Sequence, residues 1–304
     1  ANTAGRFTAT QDSSVPTGEG FANSMKLACT TADTSIGADE AAVIQQSIEG
    51  QNLQAFAKGT SNAKPFTISF YVKGNASATY TVELHDNDNT RYNSQEFSVT
   101  TDWTKVTKTF VADTTGAFDD DTAASLKLQI WLHAGSTYTG GTHTDNVWHT
   151  TSNQRVGDSQ TSFYDSTART FFITGVQLEV GQNPTEFEHE PFDTTLEKCQ
   201  RYFQKVPQGE QSGQSDDYIY DHCVFHYGSN FYASHTFLKK MRGTATTTVT
   251  TDNTYFEAGA GYTHGTLVVR NTSTTALNFY APANGGSSGN AGGVYFSYTA
   301  DAEL

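Results

Sequence analysis

Charge is scarce in this chain. Only 16% of its 304 residues are Asp, Glu, Lys or Arg, where about 25% is usual. The shortage argues against helical bundles and coiled coils, which draw on abundant Ala, Glu, Lys, Leu and Arg. Positive charge is scarcer still: 18 Lys and Arg stand against 32 Asp and Glu, a formal charge of −14. No basic run occurs. Phosphate binding needs clustered Lys and Arg, so the composition speaks against nucleic acid as a partner. An anionic membrane surface is disfavoured too, unless a cation bridges the charges. Cysteine is rare, with three residues, Cys29, Cys199 and Cys223. An odd number without a CxxC pair is neither a disulfide framework nor a zinc motif, and buried reduced thiols are expected. No apolar run approaches the roughly 18 residues of a membrane span, so no membrane insertion is expected. The start, Ala1-Asn-Thr-Ala4, has neither Met nor the apolar stretch of a signal peptide, so either a Met was removed or the chain is a fragment.

Thr, Ser, Asn, Gln and Gly take the place of charge. Hydrophobic residues still make up 36%, enough to bury real cores. The length suggests two domains, or one large β domain with appendages. Polar, turn-forming residues between apolar ones fit short strands with one wet face.

Period-two alternation supports that directly. Phe66, Ile68, Phe70 and Val72 fall on one face of a strand. So do Tyr80, Val82 and Leu84, then Leu126, Leu128, Ile130 and Leu132, then Val176, Leu178 and Val180 in the run from Phe172. Such alternation means one face buried and one solvated. Weaker strands fit at Met25–Thr30, Val43–Ile48, Gln95–Val99 and Lys105–Val111. Eight or nine antiparallel strands make a sandwich or jelly roll over residues 1–192. The pattern lapses between Gly135 and Thr170, and a loop this long is usually functional or an interface element.

One helix stands out. Thr194 with Glu197 three residues on is a capping-box pattern. Leu196, Cys199, Phe203 and Val206 recur at helical spacing, and Pro207 stops the run, giving a linking helix over 193–207. Phe187 and Phe192 are expected to pack the exit of the chain, and Phe203 to sit between two cores. Strands return at Tyr218–Tyr227, Phe231–Leu238, Thr244–Thr251, Thr266–Arg270, Ala276–Tyr280 and Val294–Ala300, with a Gly/Ser-rich loop over 284–293. The fold class is therefore all-β: an N-terminal jelly-roll sandwich, one bridging α-helix, and a smaller C-terminal β-sandwich over 208–304.

Several stretches resemble a known family. They are Ile173-Thr-Gly-Val-Gln-Leu-Glu-Val-Gly181, Pro184-Thr-Glu-Phe-Glu188 and Cys199-Gln-Arg-Tyr-Phe203. Upstream, Phe21-Ala-Asn-Ser-Met-Lys26, Ile48-Glu-Gly50 and Ala63-Lys-Pro-Phe-Thr-Ile-Ser-Phe70 join them, and Asp301-Ala-Glu-Leu304 is a frequent ending. Together they resemble bacteriophage virion proteins of the tail-fibre kind, most firmly over residues 21–205. Three positions depart from the pattern: Pro184 stands where Ala or Ser is common, Glu186 where Pro is common, and Ala245 where Pro often precedes Thr246. The resemblance implies a jelly roll similar to carbohydrate-binding modules, then a helix and a distal β-sandwich. It also implies a homotrimer attached to other virion proteins, located in the virion and on a tail fibre before a capsid surface.

Candidate sites follow from residue chemistry. Sugars offer C–H faces and hydroxyls, which suit flat aromatic rings beside amides and carboxylates. Trp131, Gln129 and His133 lie opposite the aliphatic face of their strand. Tyr71 lies likewise on its own strand, and Glu83 and His85 lie opposite Leu84. If these strands share a sheet, Tyr71, Glu83, Gln129, Trp131 and His133 line one surface. That surface is a shallow groove for a host-surface polysaccharide, a subunit interface, or a second buried sheet face. Trp148, His143 and His149 in the long loop are expected to pack that loop. Asp86 and Asp88, with Asp119-Asp-Asp121, sit in oxygen-rich turns of the sort that suits calcium, although EF-hand spacing fails. No cofactor is required by any motif. His222 and His226 share one face of a strand and could gather metal at a three-fold axis, but a structural role is expected. No GxSxG, HExxH or P-loop pattern occurs. Glu186 and Glu188 alternate along an extended segment and cannot face each other across a cleft. The expectation is a binding protein and not an enzyme: a distal tail-fibre segment, with a capsid head-fibre or decoration protein, and then a glycan depolymerase, as alternatives.

Overall fold

The computed structural model describes residues 5–206, 219–227, 230–257, 260–284, 289 and 291–303, with the backbone alone at 206, 219–226, 250–264, 283 and 291–295. The chain divides into two compact units, Ala1–Glu188 and His189–Leu304.

The first unit is a sandwich of nine strands. They are β1 (Phe7–Asp12), β2 (Ser24–Cys29), β3 (Ala41–Glu49), β4 (Phe66–Gly74), β5 (Ala78–Asp86), β6 (Arg91–Val99), β7 (Thr104–Phe110), β8 (Ala124–Ala134) and β9 (Thr170–Val180). One sheet runs β1-β2-β9-β4-β7 and the other β3-β8-β5-β6. Every pairing is antiparallel. The alternating apolar sets face each other between the sheets. Phe66, Ile68, Phe70, Val72, Val82, Leu84 and Leu126 are fully closed off from solvent. Each such side chain contributes roughly 1.5–3 kcal/mol by leaving water. Phe66 is central: it stacks on Phe56 and meets Phe118 edge-on.

β9 changes phase within its length. Phe171 and Ile173 enter the core, whereas Leu178 packs on it five residues later. An irregularity opposite Ser69 and Tyr71 supplies the extra residue, the usual effect of a β-bulge. Gly175 sits there at φ +62°, and a Cβ would stand 2.5 Å from Phe21 Cζ. Val176 is consequently exposed, not in phase with the core as its spacing suggests.

A one-turn helix α1 (Ser136–Thr139) opens the long loop, which returns across the β3-β8-β5-β6 sheet. Trp148 packs that loop down, its ring 6.3 Å from Phe66 and its Nε1 donating to Val111 O at 2.8 Å.

The second unit opens with α2 (Phe192–Gln200), followed by β10 (Phe203–Val206), β11 (Ile219–Tyr227), β12 (Asn230–Thr236), β13 (Thr246–Glu257), β14 (Ala260–His264), β15 (Val268–Thr272), β16 (Ala276–Asn284) and β17 (Ala291–Asp301). The helix is shorter than its periodicity suggests. Its N-cap is Pro191 and not Thr194, and it buries none of its residues; Phe192 is 80% exposed and Cys199 is exposed too. Phe203 and Val206 belong instead to β10, which pairs with β17. Buried Gln204 fixes that strand: its Nε2 donates to Gln200 O at 3.0 Å and its Oε1 accepts from Leu238 N at 3.0 Å. The sheet runs β10-β17-β11-β12-β16-β14-β13, with β15 on β16. β13 rejoins β17, so the sheet folds back around its own core of Phe231, Phe237, Met241, Leu277, Phe279, Phe296 and Tyr298.

Candidate functional site

Four of the five residues read as a sugar surface meet on one sheet face. β5 and β8 are neighbours, with Glu83 opposite Gln129 and Thr81 opposite Trp131. His133 follows Trp131 on the same side of β8. Tyr71 does not join them, because β4 belongs to the other sheet. The segment before β2 covers Tyr71 there. Its hydroxyl donates to Glu19 Oε2 at 2.6 Å, and Phe21 meets its ring edge-on at 5.7 Å. Burial and the Glu19 carboxylate push the phenol up to about 12.

The face is not solvated as its alternation suggests. Glu83 and His133 are fully buried, and Trp131 is 2% exposed. The long loop covers them, and its Arg155 enters the middle of the face. The guanidinium donates to Glu83 (Nε to Oε2, 2.9 Å) and to Gln129 Oε1 (2.7 Å). It lies 4.2 Å from the Tyr92 ring centre and 4.8 Å from that of Trp131, with Tyr138 on a third side at 5.8 Å. An ion pair that is bidentate on the carboxylate, with its cation within about 6 Å of three ring centres, is a demanding arrangement that suits arginine's planar fork. Burial raises the Glu83 carboxyl above its ordinary range, against the opposing pull of Arg155. His133 donates to or accepts from Ser162 Oγ at 2.7 Å, and burial lowers its imidazole.

A strip on the β3 side of the same face stays open. Gln45 is exposed, and Lys127 and Tyr138 are half-buried. Gln129 Nε2 donates to Gln45 Oε1 at 2.7 Å, which orients both amides. Tyr138 lies 4.9 Å from Trp131. Residues of these types can hydrogen-bond hydroxyls and cover a sugar ring. Sequence periodicity pointed to the face; it carried no sign of Arg155, which arrives from a stretch without periodicity.

The acidic residues do not form one ligand set. Asp86 is buried against the Lys58 ammonium, which also donates to Thr115 O at 2.8 Å and Gly116 O at 2.7 Å. Asp113 lies 3.2 Å from the same ammonium and takes two bonds from Arg91. Asp88 Oδ2 accepts from Asp119 N at 3.0 Å, and Asp121 Oδ1 from Ala123 N at 2.8 Å. The first ties two loops together and the second closes a turn. Among the described residues, no three His, Cys, Asp or Glu side chains gather as a metal site. The side chains of His222 and His226 lie outside the described residues.

Residues 23–139 match the model of a family described as a carbohydrate binding domain. The match begins at β2 and ends with α1, so it holds Gln45, Glu83, Gln129, Trp131 and Tyr138 but not Arg155. Among curated proteins no sequence matches the chain. Among solved structures, a CBM4 module is 15% identical with a TM-score of 0.28, over 58% of this chain and 81% of that one. A family 30 carbohydrate binding module is 13% identical with a TM-score of 0.31, over 61% and 78%. The enzymatically active domain of tailspike protein 4 from bacteriophage CBA120 is 11% identical with a TM-score of 0.30, over 57% and 18%.

Proposed function

We propose that this chain is a glycan-binding segment of a bacteriophage virion, part of the distal tail fibre, acting by contact and not by catalysis. One observation carries the binding part: the stretch matching a carbohydrate-binding family is the stretch that supplies the open strip of Gln45, Lys127 and Tyr138, with Gln129 orienting Gln45 from below. Arg155 fills the centre of that face, so the saccharide lies along the β3 side, over Gln45 and Lys127 and against the edge of Tyr138. The buried Glu83–Arg155 pair serves as the rigid floor beneath it. The virion part rests on the resemblance of residues 21–205 to tail-fibre proteins. In that setting the chain is a homotrimer bound to other virion proteins. Three equal sites on one fibre tip raise effective concentration and offset weak single contacts.

The test is adsorption. Soluble protein at micromolar concentration blocks attachment of the phage to its host, and Gln45→Ala combined with Lys127→Ala loses that block while keeping the parent melting temperature. Failure of both proteins to block overturns the receptor-binding reading. Particle images placing the chain on the capsid make it a decoration protein, and release of reducing ends from host polysaccharide makes it a depolymerase; either overturns the proposal.

A further inference from the structure

The second unit carries an open surface of a different character. A depression of about 450 Å³ is lined by Tyr232, Ser234, Arg270, Asn271 and Asn278 over the backs of Ala233 and Phe279. Its aromatic side is Tyr232, placed there by the sheet register. Tyr232 on β12 stands directly opposite Tyr280 on β16, and the rings lie 5.9 Å apart at only 29°. Both rings face away from the core, because their neighbours Phe231, Ala233, Phe279 and Ala281 fill it. The near-parallel rings stack on each other across the two strands, and half-buried Tyr232 gives the depression an aromatic surface against which the C–H groups of a sugar can pack.

The polar groups at its rim are arranged. Asn278 Nδ2 donates to Asn271 Oδ1 at 2.8 Å. That bond leaves the Asn278 carbonyl to accept and the Asn271 amide to donate, a matched pair for vicinal hydroxyls. Arg270 falls at the irregularity between Val269 and Asn271 in the β15–β16 pairing. A bulge re-aims a side chain, and here the guanidinium stands 6.0 Å over the Tyr232 ring. It is exposed, and among the described residues it has no carboxylate partner. Among the described residues, no Asp or Glu lines the depression, in a chain where acids outnumber bases 32 to 18.

We infer that this face is a second saccharide site, selective for a sugar that carries a carboxylate. The sugar packs against Tyr232, its hydroxyls meet Asn271, Asn278 and Ser234, and its carboxylate takes the two-pronged donor set of Arg270. A neutral glycan would leave the guanidinium unused. A nucleic acid would meet the repulsion of the whole acidic chain. The site lies within the second unit and does not depend on the function proposed for the first.

The experiment is calorimetric titration of the full chain with three acidic probes: hexagalacturonate, hexamannuronate and sialyllactose. Each is paired with its methyl-esterified form, which keeps the ring and removes the charge. At least one acid is expected to bind about tenfold more tightly than its ester, the loss typical of one charge-assisted contact. Arg270→Gln erases that preference and Arg270→Lys keeps part of it. Absence of binding to all three acids, equal binding of acid and ester, or an unaltered Arg270→Gln variant overturns the inference. So does a change in sedimentation of Arg270→Gln without any sugar, which would assign the face to contact between copies of the chain.

Discussion

Arg155 and Glu83, 72 residues apart, form a closed pair: Nε donates to Oε2 at 2.9 Å, and the carboxylate is wholly shielded from solvent. Removing one partner strands the other. Arg155→Ala is expected to lower the unfolding free energy of the first unit by about 3–5 kcal/mol. The double change Glu83→Gln with Arg155→Met costs less, because no buried charge is left alone. Urea unfolding followed by tryptophan fluorescence reads both, since Trp131 borders the guanidinium. A loss below about 1 kcal/mol for Arg155→Ala would mean that the pair is solvated and contributes as a surface bridge does.

Histidine makes the same unit sensitive to acid. Burial, with Arg155 and Lys127 adding repulsion, pushes the His85 imidazole down to about 4. Its Nδ1 is buried without a partner to hold a proton. His133 and His149 are lowered too, chiefly by burial. In the unfolded chain these rings protonate near 6.5. Between that value and about 4 the unfolded state therefore binds more protons. Stability is complete above pH 6.5 and is lost as pH falls toward the folded value. The His85 share is of the order of 1 kcal/mol by pH 5, after allowing for its partial exposure. Scanning calorimetry at pH 7.5 and 5.0 should show a smaller drop in melting temperature for His85→Gln than for the parent. Equal drops would remove His85 from the account.

Lys58 behaves as an internal cation. Its ammonium is fully buried between Asp86, Asp113 and the carbonyls of Thr115 and Gly116. Lys58→Met leaves Asp86 charged and buried, and is expected to cost about 3–5 kcal/mol in urea unfolding. Asp113 keeps Arg91 and suffers less. Because the ammonium already occupies the oxygen-lined space, calcium and chelator should leave the parent's melting temperature alike. A calcium-dependent rise in the parent would place a cation at these turns after all.

What the sequence made legible was whatever repeats at short range. The apolar phases of β4, β5 and β8 follow from period two, and the structure returns them residue for residue. The burial of Glu83 and Gln129 was legible only as one of three alternatives, a second buried sheet face. A polar residue in an outward phase reads as solvated, and only the path of a loop without periodicity brings Arg155 over it. The helix was over-extended for a related reason. Phe203 and Val206 continue the spacing of Leu196 and Cys199, yet β17, almost a hundred residues on, offers them a strand partner and wins. The outward face of β12 and β16 left a trace of its own: in Phe231-Tyr-Ala-Ser and Leu277-Asn-Phe-Tyr the alternate positions are aromatic, hydroxyl or amide, not charged.

Gly175 tests how tightly the bulge in β9 is specified. Its φ of +62° is a conformation that L side chains adopt at a cost, and a Cβ would stand 2.5 Å from Phe21 Cζ. Phe21 cannot retreat freely, because it also packs on Tyr71 at 5.7 Å and on Phe187 at 5.0 Å. Gly175→Ala should therefore destabilise the first unit by about 1–3 kcal/mol, from backbone strain and overpacking together. Phe21→Ala separates the two causes. In that background the methyl group meets no ring, so only the backbone share of the Gly175→Ala loss should remain. If the loss is as large without the Phe21 ring as with it, the glycine is there for its dihedral angle alone.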